Sequence, residues 1–284
     1  MRRSFVPVDL IQFRYQYMMW LYELPIWQLC VAILTLFTGG SLLGQYLTRR
    51  VIRKFFSQAL EDHNEAVGAI IGSYGVFYGI TLGLIAVATW DNFDAAEDLI
   101  MQEASALAAL DRDVAALPEP AGEELRGLLR DYLDFVIDHS WPAHRKGLIP
   151  ADSDVRIDAF QRHLVVFEPR TERESVLFNE AINQFNVMVQ LRRDRLASID
   201  DGLPRILWGI VLTGAILNMI LLYVLRIEPL RTHMLLIGLV STFIGLMIFF
   251  IIAMDHPFVG ELSIEPEAFE ALRKGQMAIP GGAR

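Results

Sequence analysis

The sequence has little of the chemistry that enzymes and nucleic-acid-binding proteins need. Its 284 residues include one cysteine, Cys30, so neither an internal disulfide nor a thiolate metal site can be built from it. The formal net charge is −9, which excludes the basic surface that binding of DNA or RNA requires. The six histidines are scattered, and the chain has no HExxH motif, no glycine-rich phosphate loop and no nucleophile elbow. We therefore predict no enzymatic activity, no catalytic residue, no metal, no cofactor and no nucleic-acid partner.

Charged side chains are also absent from four long stretches of the sequence. Each stretch has about 20–25 residues, enough for an α-helix to cross a hydrocarbon core of about 30 Å. Hydrophobic residues make up 53% of the chain and the mean hydropathy is +0.35, which is high for a soluble protein. The sequence thus predicts an integral membrane protein that partners the lipid bilayer through four spans. The spans cover approximately residues 24–48, 66–90, 206–225 and 232–254.

The segment between spans two and three has the opposite composition, because it is dense in Asp, Glu and Arg. Apolar residues recur there with the helical period, as over residues 95–117 and 123–140, and Thr171 with Glu174 forms a capping box. We expect Pro142 to end the second of these helices. The predicted fold class is all-α: four transmembrane helices with a helical-bundle soluble insert. The predicted domains are an interfacial N-terminal segment (1–25), transmembrane hairpin one (26–90), the insert (91–205), transmembrane hairpin two (206–254) and an acidic C-terminal tail (255–284).

Span two carries a regular stripe of glycines. On a helix with 100° per residue, the five glycines lie within a wedge of about 80°. They are Gly68, Gly72, Gly75, Gly79 and Gly83. In lipid, such small-residue faces let the backbones of neighbouring helices approach closely. We predict that the stripe is a helix-packing face, while Tyr74, Phe77 and Thr81 lie on the bulkier opposite side.

Two stretches resemble the bestrophins. The run from Phe77 to Gly83, leading to Trp90, resembles their second, pore-lining span, and the run from Pro257 to Gly260 resembles their Pro-Phe-Gly step after the last span. The whole chain more closely resembles the uncharacterised bestrophin-like domain family, over approximately residues 40–265. The matching segments are His63-Asn64-Glu65-Ala66-Val67-Gly68, 97–110, Arg112-Asp113, Trp141-Pro142 and Asp255-His256-Pro257-Phe258.

The resemblance implies an oligomeric, ring-shaped anion channel whose pore is lined by span two. Tyr74, Phe77 and Thr81 would then line the pore, small inorganic ions would pass through it, and the chain would be a homo-oligomer. Trp90, Pro257 and Phe258 would mark the points where the chain leaves the membrane. We expect the protein in the inner (plasma) membrane of a bacterium.

Several features leave alternatives open. The consecutive acids of the bestrophin calcium clasp are missing, since Glu261, Glu265 and Glu267 are spaced apart, and an acidic insert would favour cations over anions. A non-conducting membrane sensor or assembly protein, with the insert as its interaction domain, is the alternative function.

The orientation in the membrane is a second open alternative. Positive charges cluster in the two short loops, which places those loops in the cytoplasm and the insert outside, whereas bestrophins have their large insert in the cytoplasm. The loop cations are Arg49, Arg50, Arg53, Lys54, Arg226 and Arg231.

Overall fold

The computed structural model describes Tyr22 and residues 24–55, 63–150, 152–199, 202–225 and 227–277. Most of the predicted interfacial segment 1–25 lies outside these residues. So do Arg226 and the last seven residues of the predicted tail, as do the side chains of Arg53 and Lys54.

The described residues fold into helices connected by short turns. No strand occurs among them. In chain order the α-helices are α1 (Ile26–Leu34), α2 (Gly40–Phe55), α3 (His63–Ala115), α4 (Ala121–Phe135), α5 (Trp141–His144), α6 (Asp152–Val166), α7 (Glu172–Ser198), α8 (Arg205–Val224), α9 (Leu230–Asp255) and α10 (Glu267–Lys274). Two π-helical turns, Thr35–Gly39 and Val136–Ser140, join α1 to α2 and α4 to α5. The prediction of an all-helical chain is therefore confirmed.

Four of the helical segments are long and apolar enough to cross a membrane. They are Ile26–Ile52, Asn64–Ala115, Arg205–Val224 and Leu230–Asp255. Each overlaps one of the four charge-free stretches of the sequence, so the described residues contain four candidate membrane helices at the predicted positions. The chain divides into two compact units: a span unit, the described parts of Trp20–Asn92 and Gly202–Asp255, and a helical unit, the described parts of Phe93–Asp201 and His256–Arg284.

In the span unit, α9 packs along α1 and α2, and α8 packs against α2 and α9. The core is aliphatic, with Ile33, Val211 and Ile248 almost fully buried. Neutral polar contacts join the helices: the hydroxyls of Thr38 and Thr242 are 2.9 Å apart. Because lipid gives no hydrophobic drive for helices to associate, close packing and such hydrogen bonds hold the spans together.

Helix α3 is longer than the predicted second span. It continues to Ala115 without interruption, whereas the sequence analysis separated span two from a helix over 95–117. The chain has no glycine or proline between Gly83 and Pro118, so nothing in this stretch breaks the helix.

The helical unit has its own buried core around α3, α4, α6 and α7. Leu107, Leu110 and Val114 of α3 are completely buried in it. Thr171 caps α7 as predicted, because its hydroxyl accepts a hydrogen bond from the Glu174 N–H at 3.2 Å.

Proline at position 142 does not end the helix, in contrast to the sequence analysis. The helix runs through the π-helical turn Val136–Ser140 into α5. In a regular α-helix Pro142 would remove one hydrogen bond and its ring would clash with the preceding turn. The wider π-helical turn just before Pro142 relieves that conflict.

Candidate functional site

One face of α3 is occupied by contacts with α8. The Tyr74 hydroxyl donates to the Gly214 carbonyl and the Tyr78 hydroxyl donates to the Val211 carbonyl, both at 2.8 Å. The two tyrosine rings stack with centroids 5.9 Å apart, and Gly214 leaves the space into which the Tyr78 ring fits. Tyr74, expected on the pore, thus points at α8 in the protomer.

The face around Phe77 is apolar and uncovered within the protomer. Phe77 is 72% exposed, and Thr81, one turn further along, is half-buried. The Thr81 hydroxyl donates to the Phe77 carbonyl at 2.8 Å, so its one donor is used within its own helix. Other exposed apolar side chains of this part of α3 are Val76, Ile80, Leu84 and Val87. This face offers a bare hydrocarbon surface to lipid, to a second subunit or to a pore.

The glycine stripe packs against nothing within the described parts of the protomer. A methyl group added at any of its five positions would meet no heavy atom within 4 Å. Gly214 and Gly44 differ, because an added methyl group there would overlap Tyr78 and Tyr223 respectively. Helix packing through the stripe therefore stays a prediction.

The predicted membrane-exit residues lie in different environments. Trp90 is half exposed on α3. Phe258 is 1% exposed in the core of the helical unit, where its ring meets Trp141 edge-on at a centroid distance of 6.1 Å. Pro257 is also buried, and its carbonyl accepts the Ile264 N–H at 2.9 Å. The start of the predicted tail thus belongs to the packed core of that unit.

A buried ion pair lies in the same core. Arg195 and Glu103 are 1% and 0% exposed, and the Arg195 Nε donates to a Glu103 oxygen at 2.5 Å. The Tyr132 hydroxyl donates to Glu103 at 2.8 Å, and burial raises the pKa of Tyr132. The guanidinium also lies 5.4 Å from the Trp141 ring centroid. Hydrogen bonds from Arg195 and Tyr132 to Glu103, together with the Trp141 ring beside the guanidinium, offset the cost of burying the two charges.

His144 completes this cluster. Its Nδ1 lies 3.4 Å from an Arg195 nitrogen, so Nδ1 is the acceptor and the proton is on Nε2. The Nε2 atom has no hydrogen-bond partner among the described residues. Burial and the positive charge of Arg195 lower the pKa of His144 to about 3. The imidazole is therefore neutral at physiological pH.

Sequence reasoning missed this cluster. Glu103 and Arg195 are 92 positions apart, and each has charged or polar neighbours that suggest a solvated face. One signal was present: Glu103 and Leu107 lie one helical turn apart on the apolar side of α3.

Metal ligands do not gather in the described part of the chain, where no group of three or more His, Cys, Asp or Glu side chains has the geometry to hold an ion. Of the spaced acids after α9, Glu265 forms an ion pair with Arg145.

The fold and the charge-free spans define an all-helical integral membrane protein. The sequence matches the Bestrophin-like domain over residues 35–269, and the chain belongs to that family. Among proteins with curated functions, none matches it significantly.

Solved structures of membrane proteins share the fold. A bestrophin homologue from Klebsiella pneumoniae, in one point-mutant form, superposes with a TM-score of 0.63 at 13% identity, covering 89% of this chain and 99% of the homologue. A second mutant form gives 0.63 at 14% identity, with 90% and 98% covered. A crystal structure described only as a membrane protein gives 0.58 at 12% identity, with 87% and 97% covered. At these identities the likeness concerns the fold alone.

Proposed function

We propose that this chain is the subunit of a homo-oligomeric ion channel whose pore is lined by α3. The proposal is supported most by the uncovered apolar face around Phe77, on a membrane helix of a bestrophin-like protein. Four spans cannot enclose a hydrated pore alone, so conduction requires several copies around one axis. The glycine stripe, which has no partner in the described protomer, offers the surface on which neighbouring copies would meet.

In such a ring, the Phe77 side chains of all subunits would form an apolar collar at one level. Water leaves a narrow apolar constriction readily, so the collar acts as a gate by dewetting. The four charge-free stretches place no Asp, Glu, Lys or Arg within the hydrocarbon core, which argues against a proton-coupled transporter. By family resemblance the permeant ion is an anion.

Ion flux through the purified protein in liposomes tests the proposal. Phe77→Ala widens the collar in every subunit at once, so we expect it to raise flux per assembled particle, and we expect Thr81→Phe to lower it. Phe243→Ala is the matched control, because Phe243 is an exposed phenylalanine of α9, 62% exposed against 72% for Phe77.

Equal or lower flux from an intact Phe77→Ala oligomer would remove Phe77 from the pore. Replacing chloride by a large anion, and separately potassium by a large cation, gives the sign of the permeant ion. A closed ring with α3 along a continuous axis agrees with a channel. A monomer, or a dimer with α3 buried and no flux, would favour the non-conducting sensor or assembly protein.

A further inference from the structure

A polar cavity of about 490 Å³ lies in the span unit, beside the end of α8 and the start of α9. Gln45, Arg49, Glu228 and His233 are among the side chains that line it. The apolar part of α8 ends at Val224, and the first cations of α2 are Arg49 and Arg50. The cavity therefore lies at the level where the apolar helices give way to polar residues, which in a bilayer is the headgroup level.

A chain of hydrogen bonds fixes the polarity of the cavity wall. The His233 Nε2 is 3.0 Å from the Leu222 carbonyl, which only accepts, so Nε2 carries the proton. In the neutral imidazole Nδ1 is then an acceptor, and the Gln45 amide nitrogen, 3.2 Å away, donates to it. The Gln45 amide is thereby oriented with its Oε1 turned away from His233.

The Oε1 atom of Gln45 is an acceptor without a donor. Gln45 is 3% exposed, and no described residue donates to its Oε1. An unsatisfied buried acceptor is costly, and a donor group entering the cavity would relieve that cost. The hydrogen-bond chain thus selects a ligand group that carries N–H or O–H donors.

The charges on the cavity wall have both signs. The carboxylate of Glu228 and the half-buried guanidinium of Arg49 both line it. A ligand with an ammonium group next to a phosphate matches this wall, because the ammonium donates to Gln45 and Glu228 while the guanidinium binds the phosphate.

We propose that this cavity binds the headgroup of a phosphatidylethanolamine-type lipid. The ammonium lies against Gln45 Oε1 and Glu228, and the phosphate lies against Arg49. This site does not depend on ion conduction, so its test is independent of the flux experiments.

The experiment measures lipid binding to the full-length protein by native mass spectrometry after delipidation. The probes are phosphatidylethanolamine, phosphatidylcholine, whose quaternary ammonium has no N–H, and phosphatidylglycerol, which has no ammonium. We expect phosphatidylethanolamine to bind most tightly. Loss of one hydrogen bond to a charged group is worth about tenfold in affinity, so Gln45→Met should weaken phosphatidylethanolamine about tenfold and leave phosphatidylcholine, which has no donor for Gln45, unchanged.

The adjacent arginines give a matched pair of variants that does not touch the buried amide. Arg49 lines the cavity, whereas Arg50 is exposed and does not. We expect Arg49→Gln to weaken binding of phosphatidylethanolamine and Arg50→Gln to leave it unchanged. This pair tests the site even if Gln45→Met fails to fold.

Three results would overturn the proposal. Equal binding of phosphatidylcholine and phosphatidylethanolamine would show that N–H donors are not recognised. Equal effects of Arg49→Gln and Arg50→Gln would show that the cavity is not the binding site. Displacement of the lipid by soluble glycerophosphoethanolamine at the same concentration would show that the ligand is a free zwitterion instead of a lipid.

Discussion

Acidification should destabilise the helical unit through one histidine. His144 is 1% exposed, and burial beside Arg195 lowers its pKa from 6.5 to about 3. Protonating it would place a second positive charge against a guanidinium in a core from which water is excluded. The folded unit therefore keeps His144 neutral, whereas the unfolded chain lets it protonate at its ordinary pKa.

The sign and size of the effect follow from the two pKa values. Between about pH 6.5 and about pH 3 the unfolded chain binds the proton and the folded unit does not, so stability falls as the pH is lowered through this window. The limiting slope is about 1.4 kcal/mol per pH unit. From about pH 6 to about pH 4, His144 alone should therefore remove about 2.5 kcal/mol of unfolding free energy.

Hydrogen exchange of the amides in α4 measures the opening of this unit in the intact protein. Carboxylates also titrate in this window, so the informative quantity is the difference between the wild type and His144→Gln. We expect the variant to lose about 2.5 kcal/mol less than the wild type between about pH 6 and about pH 4. His163→Gln is the control, because His163 is exposed on α6. If His144→Gln and the wild type lose stability in parallel, then the neutral buried state of His144 is refuted.

Three further predictions concern the buried ion pair, the glycine stripe and the contact between α8 and α3. Glu103→Gln leaves the buried Arg195 charge unpaired and should cost about 3–5 kcal/mol in urea unfolding, whereas Glu103→Leu combined with Arg195→Leu should cost less than either change alone. Gly75→Leu should change the oligomer size measured by light scattering but not the folding of the protomer, since a methyl group added at Gly75 would meet no atom of another described helix within 4 Å. Gly214→Leu should instead destabilise the protomer by about 1–3 kcal/mol, because its side chain would overlap the Tyr78 ring. Unchanged stability of Glu103→Gln, or an unchanged oligomer size for Gly75→Leu, would contradict these expectations.

The membrane helices were predictable because their signal is local and strong. A run of more than 20 residues without charge has few structural solutions other than a membrane span. The capping box at Thr171 was predictable for the same reason, since the contact joins residues three positions apart. The end of α3 was not predictable in this way, because a change from apolar to charged composition does not break a helix unless a glycine or proline accompanies it.

The surroundings of each side chain depend on long-range contacts that a single sequence does not encode visibly. Helical periodicity separates the faces of α3 but does not tell which face meets α8, so Tyr74 and Phe77 were grouped together although Tyr74 hydrogen-bonds to α8. The pairing of Glu103 with Arg195, 92 positions away, was invisible for the same reason. Orientation in the membrane stays a prediction.

The membrane helices differ in their hydrogen bonds to the rest of the protomer, and this difference bears on function. Span one is tied to α9 by contacts of Thr38 with Thr242 and of Gln45 with His233, and to α8 by the Tyr223 hydroxyl, which donates to the Ser41 carbonyl. Between residues 66 and 90 of α3, the described hydrogen bonds to another helix lie on one face, through Tyr74 and Tyr78. Its glycine stripe and the face around Phe77 carry no such bond among the described residues. A helix that is hydrogen-bonded to its own subunit on one face can exchange the contacts of its other faces without disturbing the fold of that subunit. Substitutions on the glycine stripe or around Phe77 should therefore alter assembly or ion flux while the protomer stays folded. The proposed role of α3, which is to contact neighbouring subunits on one face and line a pore on another, requires this independence.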